Sequence, residues 1–423
     1  MFVDVVLGLQ WGDEGKGKIV DALTPQYQWV ARFQGGPNAG HTIYVDDHKY
    51  VLHTIPSGII QPACMNVIGS GVIIDPIVLR REIQMLEAAG IPVRDRLVIS
   101  ANAHLILPVH RLLDRVREEA KGAQRIGSTL KGISPAYQDL YAREGLRVSD
   151  IFLSTFNKHY AANKLLHQKE LLHNEIDGEL EDEQLFHDAV DFLRAYQVED
   201  TSFLLNQALH KGEKVLAEGA QGALLDVGYG TYPYVTSSHT ISGAACTGLG
   251  IAPTKIRKVY GIFKAYTTRV GNGPFATELS GELGETLRRR GQEFGATTGR
   301  PRRCGWLDLP ALRYAVMLNG VTDLVLTKSD VLSKLPEIGV CYSYGSHATA
   351  PFGPLPEPRH CQFKHFESWE EDLQQINRAE ELPEAFKAFV HYIESEVQAP
   401  VTIISTGPGR RHMLERSAAA VGL

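Results

Sequence analysis

The sequence is poor in cysteine. Its five cysteines, Cys64, Cys246, Cys304, Cys341 and Cys361, are scattered, odd in number and never arranged as a CxxC pair. That argues against a disulfide scaffold and a structural zinc site, and it fits a reducing, cytoplasmic setting. Long apolar runs are missing as well, so no stretch reaches the length of a membrane span. There is no excess of positive charge: 43 Lys and Arg stand against 49 Asp and Glu, for a net charge of −6. A general nucleic-acid binder would be basic, so the local clusters Arg288–Arg290 and Arg300–Arg303 need a local explanation. The opening Met1–Gly8 has neither a basic flank nor a cleavage site and reads as a first buried strand, not a signal peptide. Internal repeats and low-complexity tracts are absent too.

What is present is core. With 43% hydrophobic residues in 423, the chain can bury a large interior. Short Val/Ile/Leu runs recur between helix-like segments: Val3–Leu9, Val67–Ile68, Leu97–Ser100, Lys214–Glu218, Val259–Ala265, Leu324–Thr327 and Val401–Ser405. Nearly continuous apolar strands predict an α/β fold with a large, mostly parallel central sheet and flanking helices. Ligands in such folds bind beyond the carboxyl ends of the strands. One unit spanning 1–423 is expected, with a helical insertion at about 149–210. His159, His167, His173 and His187 in that insertion lack metal-ligand spacing and read as a solvated helical face. Residues 343–358, rich in Pro and Gly, read as a surface excursion.

The loops after these strands carry the chemistry. Gly12-Asp13-Glu14-Gly15-Lys16-Gly17-Lys18 follows the first strand and opens a helix. Its glycines let backbone N–H groups approach a polyphosphate, and the lysines and helix N-terminus add positive potential. Ile19 stands where a P-loop has a Mg²⁺-binding Ser or Thr. Asp13, a carboxylate beside phosphates, makes sense as a metal ligand or a proton acceptor. Gln34–Thr42 is a second glycine-rich loop, in which His41 can serve as an acid or a phosphate donor. Thr327-Lys328-Ser329-Asp330 has the pattern that reads guanine, the Asp accepting from N1–H and N2–H₂ while the Lys stem covers the base. Ser405-Thr406-Gly407-Pro408 can close over the same base. Glu218–Gly222 and Tyr232–Ser238 offer amides and hydroxyls suited to a neutral base and a phosphate. Thr297, Thr298, Arg300 and Arg302, in the loop Gly295–Arg303, offer hydroxyls and guanidiniums suited to a small dicarboxylate.

In this order and over nearly the whole chain, the segments WGDEGKGK, NAGHT, IPSG, EGAQG, TYPYVTSS, TRVGNGPF, TTGR, TKSD and STGP resemble those of the adenylosuccinate synthetase family. The resemblance implies a cytoplasmic, Mg²⁺-dependent homodimer that joins L-aspartate to IMP using GTP. It implies catalytic roles for Asp13, His41 and Lys16. Mg²⁺ would be held by Asp13 and the Gly40 carbonyl. GTP would contact Gly12, Gly15, Lys16, Gly17, Gly40, His41, Thr42, Lys328, Asp330, Ser405 and Gly407. IMP would contact Asn38, Thr129, Gln221, Thr236 and Arg303, with Arg143 reaching the IMP of the other subunit. L-Aspartate would sit on Thr297, Thr298, Arg300 and Arg302. The segment Gly127–Pro135 departs from the family pattern: Leu130 and Ser134 replace glycines and Lys131 replaces an arginine. Two other readings remain, a dGMP-using viral-type relative and a non-catalytic GTP-binding homologue. Asp13, which viral members tend to lose, speaks against the first; Ile19 and the Arg300–Arg303 loop speak against the second.

Overall fold

A computed structural model describes residues 1–45, 48–173, 182–295, 299–345 and 360–416. The first apolar run forms strand β1 (Val3–Gly8), buried along its whole length. A strand apolar on both faces must be covered on both, and β1 lies inside a ten-stranded sheet. Numbering only this sheet's strands in chain order, the others are β2 (Trp29–Arg32), β3 (Met65–Ile68), β4 (Leu97–Ser100), β5 (Gln197–Glu199), β6 (Val215–Glu218), β7 (Ile256–Lys264), β8 (Asp323–Thr327), β9 (Val401–Ser405) and β10 (Met413–Glu415). Their spatial order is β10-β9-β8-β7-β1-β6-β2-β3-β4-β5. Every pairing is parallel except the edge pair of β9 and β10.

Successive side chains of β1 divide between the two faces. Val5 and Leu7 join a core with Phe33, Phe263, Trp306 and Phe386. Val6 points the other way, onto Ile19, Val20 and Leu23 of helix α1 (Lys16–Leu23). A third apolar cluster covers β3 and β4 with side chains of α2 (Pro76–Ala88), α3 (Pro108–Ala120), α5 (Phe156–His173) and α6 (Glu183–Leu193). Between α3 and α5 lies α4 (Ile133–Ala142).

The runs read from the sequence appear as strands with ends shifted by up to three residues. Strands β2, β5 and β10 were not among them. The segment 149–210 holds α5, α6 and α7 (Thr201–His210), but it also contributes β5, the edge strand beside β4. His167 is not on a solvated face: its Nε2 lies 3.0 Å from the Asp139 carboxylate. Ser343 and Tyr344, expected in a surface excursion, end the buried strand Ile338–Tyr344, and 346–358 lie outside the described residues. No described helix is long and apolar enough to cross a membrane.

One buried carboxylate gives the fold a pH signature. Glu82 of α2 accepts from the backbone N–H groups of His53, Thr54 and Ile55 at 2.9, 3.0 and 3.1 Å. Burial nevertheless pushes its pKa up to about 7 from an ordinary 4.5. An acid whose folded pKa is raised stabilises the fold below its unfolded pKa and loses that contribution as pH rises through the folded one. Between pH 4.5 and about 7 the wild type should therefore lose on the order of 3 kcal/mol relative to Glu82→Gln. Denaturant melts of both proteins across this range measure it; parallel pH profiles would contradict it.

Candidate active site

The loops at the carboxyl ends of β1, β2, β6, β7, β8 and β9 meet, as parallel sheets require of a ligand site. After β1 the chain turns through Gly12 and Gly15, at φ 86° and 91°, and enters α1 at Lys16. Asp13 holds φ 61°, a left-handed conformation that costs a residue with a side chain about 1 kcal/mol. Glu14 folds the loop from within. Its fully buried carboxylate accepts from Gln10 N at 3.1 Å, Gly12 N at 2.9 Å and Lys16 Nζ at 2.6 Å. Lys16 Nζ also donates to the Gln221 carbonyl. Gly17 is required by packing, since a Cβ there would stand 2.9 Å from His41 Cβ. Ile19 is fully buried in the core.

His41, preceded by Gly40 and followed by Thr42, opens the strand His41–Val45. Its Nδ1 is 2.5 Å from Glu218 Oε1, while Nε2 is buried and has no partner among the described residues. Glu218 ends β6 without solvent exposure and also accepts from Ser57 N and Ser57 Oγ, both at 2.7 Å. In register beside it on β2 is the equally buried Arg32. Burial opposes ionisation of Glu218, but His41, Arg32 and Ser57 outweigh it and hold the carboxyl below its usual range. Burial lowers the His41 pKa in spite of Glu218. The ring is therefore neutral, its proton on Nδ1 toward Glu218 and its lone pair on Nε2. An anion arriving at Nε2 favours protonation there, turning the ring into a donor.

A second buried charge network lies across the phosphate loop. Arg302 spans two carboxylates, with Nε 2.8 Å from Asp13 Oδ2 and Nη1 2.6 Å from Glu293 Oε2. Burial disfavours the charge on Glu293, yet Lys264, Lys328 and Arg302 bring its pKa down to about 2. Lys264, at the end of β7, is fully buried and 3.2 Å from Glu293 Oε1.

The base-reading pattern sits against the phosphate loop. Thr327 Oγ1 donates to the Glu14 carbonyl at 2.8 Å, across 313 residues of chain. Lys328 follows in the left-handed region, at φ 61°, and its Nζ donates to the Gly291 carbonyl. Burial raises the Asp330 pKa against the pull of Lys328 and Lys18, and Gln374 Nε2 lies 3.3 Å from its Oδ2. From α1, Lys18 Nζ donates to Ser405 Oγ at 2.8 Å, the Gly407 carbonyl at 2.6 Å and the His412 carbonyl at 2.9 Å. Burial pushes the Lys18 amine down to about 7, against Asp330.

The segment Thr268–Phe275 gathers several other loops. A Cβ on Gly127 would lie 3.2 Å from Gly271 Cα, which brings the Thr129 loop to it. Arg269 Nη2 donates to the Tyr234 carbonyl at 3.1 Å, two residues from the half-buried Thr236. Arg303 Nη1 donates to the Gly273 carbonyl at 2.8 Å while its other nitrogens grip Glu278. Gln221 Nε2 donates to Asn38 Oδ1 at 3.0 Å, beside Gly12. Arg300 is exposed, and Thr297 and Thr298 lie outside the described residues. Arg143 stands apart from this assembly: it is exposed at the carboxyl end of α4, in the left-handed region at φ 68°. Sequence reasoning missed the working parts of Glu14, Ser57, Glu218, Lys264 and Glu293. Glu14, Ser57 and Glu218 stand inside recognised segments, but nothing local marks a carboxylate as buried.

The family model described as adenylosuccinate synthetase matches residues 5–414. The chain is 51% identical to the adenylosuccinate synthetase of Christiangramia forsetii over 427 aligned residues, covering 98% of this chain and 100% of that protein. It is 50% identical to that of Flavobacterium johnsoniae over 425, with the same coverage. Among solved structures, the fully ligated Plasmodium falciparum adenylosuccinate synthetase superposes with TM-score 0.90 at 38% identity, over 99% of this chain and 100% of that one. A cyanophage S-2L succinoaminodeoxyadenylate synthetase bound to dGMP and dATP shares the fold, with TM-score 0.63 at 21% identity. The chain belongs to the adenylosuccinate synthetase family.

Proposed function

We propose that this assembly of loops carries out the family's reaction, GTP-dependent ligation of L-aspartate to IMP to give adenylosuccinate, GDP and phosphate, with each loop in a defined role. The observation that carries the reading is the pair of ties from the phosphate loop to the base-reading loops. Thr327 reaches Glu14 and Lys18 reaches Ser405, across 313 and 387 residues of sequence. Both ends of one GTP are thereby served by one groove. Its phosphates lie along Gly12, Gly15, Lys16, Gly17 and the N-terminus of α1, with Thr42 alongside. Its guanine meets Asp330, with Lys328, Ser405 and Gly407 around the ring.

Asn38, Thr129, Gln221, Thr236 and Arg303 hold IMP. Asp13 accepts the N1 proton of IMP, so that O6 attacks the γ-phosphorus of GTP. The new O–P bond forms as the β–γ bridge breaks, and its electrons leave with GDP. His41 is suited to the bridging oxygen, because Glu218 fixes its Nδ1 and Nε2 has no partner among the described residues. The aspartate amine then displaces phosphate from C6 of 6-phosphoryl-IMP. Thr297, Thr298, Arg300 and Arg302 hold the aspartate. Arg302, whose Nε lies 2.8 Å from Asp13 Oδ2, has in L-aspartate a further carboxylate to pair with.

Mg²⁺ fits the donors. Asp13 is a hard oxygen ligand whose side chain keeps 31% of its surface exposed at the loop mouth, and the Gly40 carbonyl is a second. One ion there would neutralise charge on the transferring phosphoryl group. The exposed Arg143 supports the homodimer reading, in which it contacts the partner's IMP. A single unit over 1–423 with its helical insertion, working in the cytoplasm, completes the proposal.

The test is an assay with IMP, GTP, L-aspartate and Mg²⁺, following adenylosuccinate by its ultraviolet difference spectrum. Product should need every component, and dGMP should not replace IMP; turnover with dGMP alone would favour the viral-type reading. Asp13→Ala should lower turnover by ~10²–10⁴, and near-normal activity would refute the base assignment. Asp330→Asn should weaken GTP use by ~10- to 100-fold and relax selection against ATP. An unchanged nucleotide preference would remove Asp330 from the guanine pocket.

A further inference from the structure

Away from the loops just described, a buried carboxylate joins three helices. Asp139 of α4 is only 3% exposed, and one oxygen, Oδ2, serves three side chains. His110 Nε2 of α3 lies at 2.9 Å, His167 Nε2 of α5 at 3.0 Å and Asn163 Nδ2 of α5 at 2.7 Å. Burial works against ionisation of Asp139, but these partners outweigh it and hold the carboxyl well below the usual range.

Distances alone would let Asp139, His110 and His167 share a metal ion, their ligand atoms lying within 4.8 Å of one another. The proton count argues otherwise. His110 Nδ1 accepts from Leu107 N at 3.1 Å, so the neutral ring carries its proton on Nε2, the nitrogen such an ion would need. Burial keeps that ring neutral. The group is a hydrogen-bonded clamp.

What the clamp holds is the turn that presents Arg143. Helix α4 ends at Ala142, and the Asp139 carbonyl accepts from Glu144 N at 2.9 Å and Gly145 N at 3.1 Å. Asn163 Nδ2 bridges the Asp139 carboxylate to the Glu144 carbonyl, at 3.2 Å. Gly145 is pressed on His104, whose Cδ2 would be 2.9 Å from a Cβ there. Asp139 thus grips the turn by both its main chain and its side chain. Arg143 sits between these contacts in a left-handed conformation that an arginine holds only when its surroundings impose it.

We propose that Asp139, clamped by His110, His167 and Asn163, is the positioning residue that keeps Arg143 aimed across the subunit interface at the partner's IMP. This rests on the reading of Arg143 given above. Long side chains that capture a phosphate lose rotamer freedom on binding, and a rigid mount lowers that cost.

A double-mutant cycle tests it. Arg143→Leu should raise KM for IMP by about tenfold and leave KM for GTP within about twofold. Asp139→Asn should raise KM for IMP in the same selective way. In the Arg143→Leu background it should add nothing, because a residue acting through Arg143 has no further effect once Arg143 is gone. Asn163→Ala, which removes only the bridge, should follow the same pattern and serves if Asp139→Asn fails to fold. If Arg143→Leu leaves KM for IMP unchanged, the reading of Arg143 is wrong and the proposal falls with it. If Arg143→Leu behaves as expected but the clamp variants change KM for IMP additively, alter KM for GTP equally, or change only thermal stability, the clamp is merely structural.

Discussion

A carboxylate with no access to water has to be matched on every side, and Glu218 imposes that constraint on this protein. Burying an unpaired anion is prohibitive, so partners from distant parts of the chain must be in place together. Arg32 comes from the neighbouring strand, Ser57 from a turn after the second glycine-rich loop, and His41 from the loop itself. Satisfying Glu218 fixes the orientation of the imidazole. It leaves the other ring nitrogen without a partner among the described residues, and Gly17, by lacking a side chain, lets His41 Cβ come close to the phosphate loop. The geometry around His41 is thus a by-product of solving a burial problem at the carboxyl end of a central strand, β6.

The same device recurs around it. Glu14 closes the phosphate loop, Glu293 anchors Arg302 and Lys264, and Asp139 gathers three helices. In each case a buried carboxylate is surrounded by donors, from within one loop for Glu14 and from separate elements for Glu293 and Asp139. Such networks hold a shape well because losing one partner leaves a charge stranded in a medium of low dielectric constant. A loop residue such as Asp13 can then stay partly exposed without losing its aim.

The fold was legible where strands are apolar on both faces. Val3–Gly8, Leu97–Ser100 and Val401–Ser405 announce themselves by composition alone. Strand β2 did not, because its four residues end in a charged Arg32 that only the finished structure neutralises. Edge strands β5 and β10, three residues each, are too short to carry a pattern. For the site, glycine-rich and charged loops stood out, since close backbone approach and phosphate charge leave a local imprint. The carboxylates that support those loops did not, because burial and pairing are properties of contacts between residues far apart in sequence. His167 shows the same limit in reverse: its helix reads as solvated, but a partner from α4 turns it inward.

The ties from Lys18 to Ser405 and from Glu14 to Thr327 also bear on how the protein comes into being. A chain emerging from the ribosome holds its Gly12–Lys18 loop almost from the outset but cannot make both ties until β8 and β9 have been made and inserted. With GTP bound as proposed, strong attachment of the nucleotide belongs to the completed fold and not to an amino-terminal fragment of it. A ligand that binds only the finished state draws the folding equilibrium toward that state. Cellular GTP would in this way act on newly made chains as a stabiliser of those that are whole, before it serves any of them as a substrate.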